Sequence, residues 1–233
     1  MKRILSIIAI SSLPFVSEAD TYNVSDKFYV GFGAGMISPN NVDVNTAAGT
    51  YNGVTLTNGF KAEIEFDNGY QITGLLGYRL NEYLSFETEL GYSKFDYDKL
   101  NVTAGGTATS GNVSTTYGTG SLNVDGSISA FSMIFGPTLD FDVYENLEFL
   151  LGGGIGFSSY NDEVKSVGGS TALSYDDDNT EFSAKFKTGA NYSFTEQTYV
   201  QATYGFNFVN SGIDNFTDDF TAHSFNAKLV FNF

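Results

Sequence analysis

The chain has 233 residues, with 11 Lys and Arg against 27 Asp and Glu, so its formal net charge is −16. Such a surface excludes nucleic acid as a partner, because phosphate binding needs a basic patch. The absence of Cys excludes disulfides and thiolate chemistry, while 26 Gly, 22 Phe and 15 Tyr against 3 Pro point to β structure over a helical core.

The first segment reads MKRILSIIAISSLPFVSEA. Lys2 and Arg3 give a basic start, Ile4 to Val16 form an apolar run, and Ser17 and Ala19 are small residues at the positions a signal peptidase reads. This predicts a cleaved signal peptide over 1–19 and a mature domain over 20–233. The run is short for a bilayer-spanning helix, which needs about 20 apolar residues. Cleavage removes two basic residues and one acid, which takes the charge from −16 to −17. No later stretch is long and apolar enough for a membrane helix, but barrel strands hide from helix-length windows.

At period two the chain shows eight alternating segments. KFYVGFGAGMI sets Phe28, Val30, Phe32, Ala34 and Met36 against Tyr29 and three Gly. YQITGLLGYRL sets Tyr70, Ile72, Leu76, Tyr78 and Leu80 against Gln71, Thr73, Gly77 and Arg79. YLSFETELGYS sets Leu84, Phe86, Leu90 and Tyr92 against Ser85, Glu87, Glu89 and Ser93. SAFSMIFGPTLDF sets Phe131, Met133, Phe135, Leu139 and Phe141 against Ser132, Gly136, Thr138 and Asp140. NLEFLLGGGIGF sets Leu147, Phe149, Leu151, Ile155 and Phe157 against Glu148, Gly152, Gly154 and Gly156. EFSAKFKTGANYSF sets Phe182, Phe186, Tyr192 and Phe194 against Ser183, Lys185, Lys187 and Asn191. TYVQATYGFNF sets Val200, Tyr204, Phe206 and Phe208 against Gln201, Thr203 and Asn207. HSFNAKLVFNF sets Phe225, Ala227, Leu229, Phe231 and Phe233 against Ser224, Asn226, Lys228 and Asn232. Leu75, Ile134, Leu150 and Val230 break the pattern on the polar face, and Thr88 and Thr188 on the apolar one.

Tight connections at 80–83, 143–146 and 194–197 alternate with long polar stretches at roughly 38–68, 95–127, 158–181 and 209–221, whose Gly, Ser, Thr, Asn and Asp predict loops. Short turns on one side and long loops on the other predict an eight-stranded antiparallel up-and-down transmembrane β-barrel, with both chain ends on the short-turn, periplasmic side.

The apolar face carries Phe and Tyr, while the other is crowded with Gly, Ala and Ser. Bulky residues outside and small ones inside suit a narrow barrel in a membrane; a soluble barrel needs the reverse. The ionisable residues of the strand cores are Arg79, Glu87, Glu89, Asp140, Glu148, Lys185, Lys187 and Lys228, and all fall on the small-residue face. They balance, four against four, in a chain that is otherwise strongly acidic. Lys or Arg facing lipid at mid-bilayer costs about 2–4 kcal/mol. The expectation is a lumen filled by two ion-pair clusters: Arg79, Asp140 and Glu148 near the periplasmic end, and Glu87, Glu89, Lys187 and Lys228 near mid-height. Lys94 is placed at the upper rim, where its head reaches water.

The stretch FDNGYQITGLLGYRLNEYLSFETELGY, from Phe66 to Tyr92, resembles the small outer-membrane β-barrels of Gram-negative bacteria. These include OmpA-type membrane domains, opacity-type proteins and surface antigens of some α-proteobacteria. The GYR strand followed by a tight turn and an ExE strand is similar to a recurring hairpin there. The run EFSAKFKTGANYSFTEQTYVQATYGF and the terminal LVFNF look like the last strands of that family. The resemblance implies the outer membrane as location. It implies outer-membrane lipids, periplasmic chaperones and the barrel-assembly machinery as partners, and a host or environmental ligand at the loops. It also implies that Phe225, Leu229, Phe231 and Phe233 form the C-terminal assembly signal. The function it implies is a non-enzymatic structural or surface-interaction role without a cofactor, and without the periplasmic domain of full-length OmpA proteins.

Two rivals stand beside that reading. One is a small passive porin-like channel, although an eight-stranded barrel leaves an interior just wide enough for side chains. The other is a lipid-modifying enzyme of the His–Ser type. Here the single histidine, His223, adjoins Ser224, and neighbours on a strand point to opposite faces. The acidic runs Asp176 to Glu181 and Asp214 to Asp219 offer oxygen ligands for Ca²⁺ but lack the spacing and Gly of a calcium loop.

Overall fold

The computed structural model describes residues 27–51, 53–210 and 219–233. The segment expected to be cleaved lies outside them. The strands, in chain order, are β1 (Phe28–Pro39), β2 (Val42–Thr46), β3 (Gly49–Tyr51), β4 (Val54–Leu56), β5 (Phe60–Phe66), β6 (Gly69–Arg79) and β7 (Leu84–Ala104). Then come β8 (Gly106–Ser110), β9 (Val113–Tyr117), β10 (Gly120–Tyr144), β11 (Leu147–Val167), β12 (Tyr175–Thr195), β13 (Thr198–Val209) and β14 (Phe220–Asn232).

Eight of them close a ring, β1-β6-β7-β10-β11-β12-β13-β14 and back to β1, with every neighbouring pair antiparallel. Each of the eight alternating segments supplies one of these strands. The seam runs from Tyr29 opposite Asn232 to Pro39 opposite Ala222. Below it the Phe233 amide donates to the Phe28 carbonyl at 2.9 Å. A closed ring leaves no unpaired edge at this level, which is what a strand protein in lipid requires.

The tight turns follow from local chemistry. The Asn81 side-chain oxygen accepts from the amides of Tyr83 and Leu84 at 3.0 and 2.8 Å, which folds the chain back between β6 and β7. At the other end the ring is uneven. β7, β10, β11 and β12 run on well past β1, β6, β13 and β14. β6 accompanies β7 only as far as Tyr70 opposite Lys94. Above that, β5 takes its place on β7, with Phe66 opposite Tyr97, and β2 lies on β5. β3, β4, β8 and β9 form a second small sheet. Its β8–β9 turn holds Gly111 at φ +56°, a value that favours Gly over residues with a Cβ.

The expectation that 38–68, 95–127 and 158–181 are loops is therefore corrected. These long connections are largely strand. They fold because they bury a core of their own, built from Leu56, Phe60, Ala62, Ile64, Tyr97, Leu100, Val102, Tyr117, Val164 and Val167. Their Ser, Thr and Asn face water, which is why they read as loops. Of the fourth stretch, residues 211–218 lie outside the described residues.

Candidate functional site: the charged lumen and the closing seam

Side chains of even number on β14 and odd number on β7 and β12 point into the ring, as period-two alternation dictates. This brings β7 carboxylates and β12 and β14 ammonium groups together across the lumen. Lys185 Nζ donates to Glu89 Oε1 at 2.5 Å. Lys187 donates to Glu87. Lys228 Nζ lies 2.8 Å from Glu89 Oε2 and donates to Gln201 Oε1 at 3.3 Å. Tyr29 Oη donates to Glu87 Oε1 at 2.8 Å. All five charged groups are buried, and Lys228 is only 1% exposed. Buried charges persist only when paired and hydrogen-bonded, so each group depends on the others. Lys185, expected in the lumen ion-pair network without an assigned height or partner, belongs to this group, on Glu89.

The lower group is arranged otherwise than in an ion-pair cluster. Among the described residues no direct ion pair joins Arg79 to Asp140 or Glu148. The Arg79 guanidinium lies 5.1 Å from the centroid of the Tyr29 ring and 5.7 Å from that of Tyr199. Asn191 bridges the two carboxylates, donating to Asp140 at 3.2 Å and to Glu148 at 3.1 Å. The physical reason is volume. Tyr29 and Tyr199 fill the lumen at this height together with Leu75 and Val230, and the flat guanidinium packs on their rings.

Small residues make room for these long side chains. A Cβ at Gly77 would overlap the Tyr29 ring, which lies directly across that position. Leu75, Ile134, Leu150 and Val230, which break the polar phase, are all buried inside the ring and pack the spaces between charges. The cavity left around Glu87, Glu89, Lys185 and Lys187 is about 20 Å³. That is room for about one water, since a site needs about 10–15 Å³ to hold one.

Residues 5–233 match the family described as outer membrane protein beta-barrel domain. The chain belongs to that family. Neisserial surface protein A has a similar structure: TM-score 0.53, 14% identity, covering 88% of this chain and 97% of that one. The outer membrane protein OprG from Pseudomonas aeruginosa is similar at TM-score 0.50 and 11% identity, over 90% of this chain and 97% of that one. At these identities the likeness concerns the fold. No curated protein matches the chain in sequence.

As a member of the outer-membrane barrel family the protein resides in the outer membrane of a Gram-negative cell, and its exterior takes on meaning. Phe32, Ile72, Phe135, Ile155, Phe186, Phe225 and Leu229 are exposed on the outside of the ring, where water would penalise them and hydrocarbon does not. Phe225, Leu229 and Phe231 of β14, and Phe233 directly after it, are exposed on this outer face beside the seam. His223 also faces outward. Its Nδ1 is 2.6 Å from Tyr204 Oη, and its ring packs against Tyr204 and Phe206 near the top of the apolar band. Ser224 is buried in the lumen and accepts from Asn207 Nδ2 at 3.1 Å. The barrel wall separates His223 from Ser224.

Alternation also splits the acidic run of β12. Asp176 and Asp178 face outward, and each accepts from Asn161 Nδ2, at 2.8 and 3.0 Å. Asp177 lies on the opposite face. A run in sequence is thus not a cluster in space, and of the second run Asp214 to Asp218 lie outside the described residues.

Residues that the sequence reading passed over stand above the membrane. Tyr97 of β7 and Asp162 of β11 point inward there and are buried, and Tyr175 of β12 joins them. A signal was available. The inward phase of β7 continues past Ser93 as Phe95 and Tyr97, while the outward phase turns to Lys94, Asp96 and Asp98. The polarity of the two faces reverses at that point.

Proposed function

We propose that the protein is a closed, non-conducting and non-enzymatic barrel that holds a folded acidic head at the cell surface for contact with an external partner. The observation that carries this reading is the web of Glu87, Glu89, Lys185, Lys187 and Lys228, which spans the lumen at mid-height and encloses a cavity of only about 20 Å³ between its lysines and carboxylates, with a larger one of about 90 Å³ above it. Ions cannot pass without breaking pairs whose partners have no other solvation. The bulk of the chain beyond the barrel is committed to ordered strands, which suits display better than gating.

Four parts of this reading concern partners. Outer-membrane lipids cover the apolar band. Periplasmic chaperones and the barrel-assembly machinery act before insertion, with Phe225, Leu229, Phe231 and Phe233 as the assembly signal. A host or environmental ligand meets the head. No nucleic acid is bound, given the charge of −16. Single-channel recording on refolded protein in planar bilayers tests the closed lumen. Baseline traces are expected; stable, reproducible conductance steps would favour the passive-channel alternative. Mass spectrometry of lipids after incubation addresses the enzyme alternative, with unchanged lipid masses expected. For the assembly signal, deleting Phe233 is expected to lower the heat-modifiable, membrane-inserted fraction more than deleting Asp176 to Asp178.

A further inference from the structure

Above the membrane the inner faces of the long strands enclose a further cavity, of about 180 Å³, different in character from the charged lumen. Its walls are apolar: Leu56, Phe60 and Ile64 on one side, Leu100, Val164 and Val167 on others. Three tyrosines, Tyr97, Tyr160 and Tyr175, line it as well, and so do Asp162 and Asp177. No Lys, Arg or His is among its lining residues.

Asp162 is the anomaly. It is 3% exposed, and among the described residues it forms no ion pair. Tyr97 Oη donates to its Oδ1 at 2.6 Å and Tyr175 Oη to its Oδ2 at 2.9 Å. These bonds hold the carboxylate in place but supply no positive charge. Asp177, directly opposite on β12, adds a second negative charge instead. Burial pushes the Asp162 carboxyl above the usual carboxylate range, against the two tyrosine hydrogen bonds, and Asp177 and Asp176 push the same way. Beside it, the Tyr160 hydroxyl is buried and has no hydrogen-bond partner among the described residues. In the lumen of the same molecule every buried carboxylate of the upper group has a lysine. Here the carboxylate faces an apolar cavity without one; the cavity of about 90 Å³ beneath it, which Asp162 also borders, includes Lys185, but that lysine is held by Glu89.

The geometry points to this cavity as a binding site for an amphipathic cation, an organic ammonium whose apolar body fills the space and whose charged head rests against Asp162. The occupant follows from complementarity. An apolar wall takes a hydrocarbon or aryl body. A buried carboxylate without a counter-charge selects a cation over a neutral or anionic head. Tyrosine rings around that carboxylate favour an alkylated ammonium, through its attraction to aromatic faces. The acidic surface outside raises the local concentration of any cation. Asp162 is a binding residue here, and Tyr97 and Tyr175 are positioning residues that fix its two oxygens.

The test compares three probes of the same body and different charge: benzyltrimethylammonium, benzyl alcohol and benzoate. Each is titrated calorimetrically into the full mature protein in nanodiscs of zwitterionic lipid, with empty nanodiscs subtracted. The ammonium is expected to bind at least tenfold more tightly than the alcohol, and benzoate not at all. Asp162→Asn keeps the shape and is expected to bring the ammonium down to the level of the alcohol. Asp177→Asn, at an exposed residue that does not threaten folding, is expected to weaken the ammonium severalfold and leave the alcohol unchanged. Leu173 also lines the cavity, and Leu173→Trp, which fills it, is expected to weaken both. Equal binding of ammonium and alcohol by the unaltered protein overturns the proposal. So does a preference for the ammonium that survives both aspartate substitutions.

Discussion

Strand β11 changes solvent between Ser158 and Asp162. Below, Phe149, Leu151, Ile155 and Phe157 face outward and Gly152, Gly154 and Ser158 face in. Above, Asn161, Glu163 and Lys165 face outward and Tyr160, Asp162 and Val164 face in. The backbone runs on without a break, and the alternation keeps its phase; only the chemistry of each face is exchanged. The lower half is a membrane protein, apolar outside and paired charges within. The upper half is a water-soluble sheet with an apolar core. The difference teaches that the hydrophobic effect has no preferred direction along a strand. It places apolar residues wherever water is absent, and that is the exterior at one height and the interior a few residues further on.

The comparison can be broken most sharply in the lumen. Glu89→Ala strands two buried ammonium groups, those of Lys185 and Lys228, and is expected to cost about 3–5 kcal/mol, the usual penalty for an uncompensated buried charge. Urea unfolding of protein refolded in lipid vesicles measures it as a lowered midpoint. Next in size is a charge on the lower exterior. Ile155→Arg, at a side chain 61% exposed to what is lipid in the cell, should cost about 2–4 kcal/mol. The same residue type placed higher on the same face, Glu163→Arg, should change the midpoint by less than about 0.5 kcal/mol. A similar loss from both would mean that the boundary between lipid and water lies elsewhere. Tyr97→Phe takes one hydrogen bond from Asp162 and is expected to cost about 1.5–3 kcal/mol, the range for hydrogen bonds to charged groups. That loss should appear as faster proteolysis of the head, with the unheated gel mobility of the barrel unchanged. Smallest of all, Asp178→Ala on the outer face of β12 should stay within about 0.5 kcal/mol in both assays.

The lower half was legible from the sequence because its rule is rigid. A lipid-facing position tolerates no charge, so Glu87, Glu89, Lys187 and Lys228 had to share the other face, and the ring of eight strands followed. Heights and partners were less legible. Arg79 was expected on carboxylates and lies on Tyr29 and Tyr199, because a guanidinium is satisfied by rings as well as by anions, and sequence does not say which is nearer. Lys185 had no assigned partner, because the stagger of β12 against β7 is a property of the closed ring and not of either strand. The head was misread for a different reason. A reading tuned to apolar residues on the outward phase stops at Lys94, where that phase becomes charged. Phe95, Tyr97, Leu100 and Val102 then look like scattered apolar residues in a polar loop, although they begin a second core.

The seam between β1 and β14 also sets an order of events. Tyr29 and Asn232 are direct partners, yet almost the whole chain lies between them. The outer edge of β1 stays without a neighbour until the last strand has been made and delivered. Closure is thus a step of very high sequence separation, slow in itself, and the growing sheet carries an open edge throughout. Timing, more than local propensity, is where folding of this chain is vulnerable, and a substitution that delays β14 should act as strongly as one that weakens it.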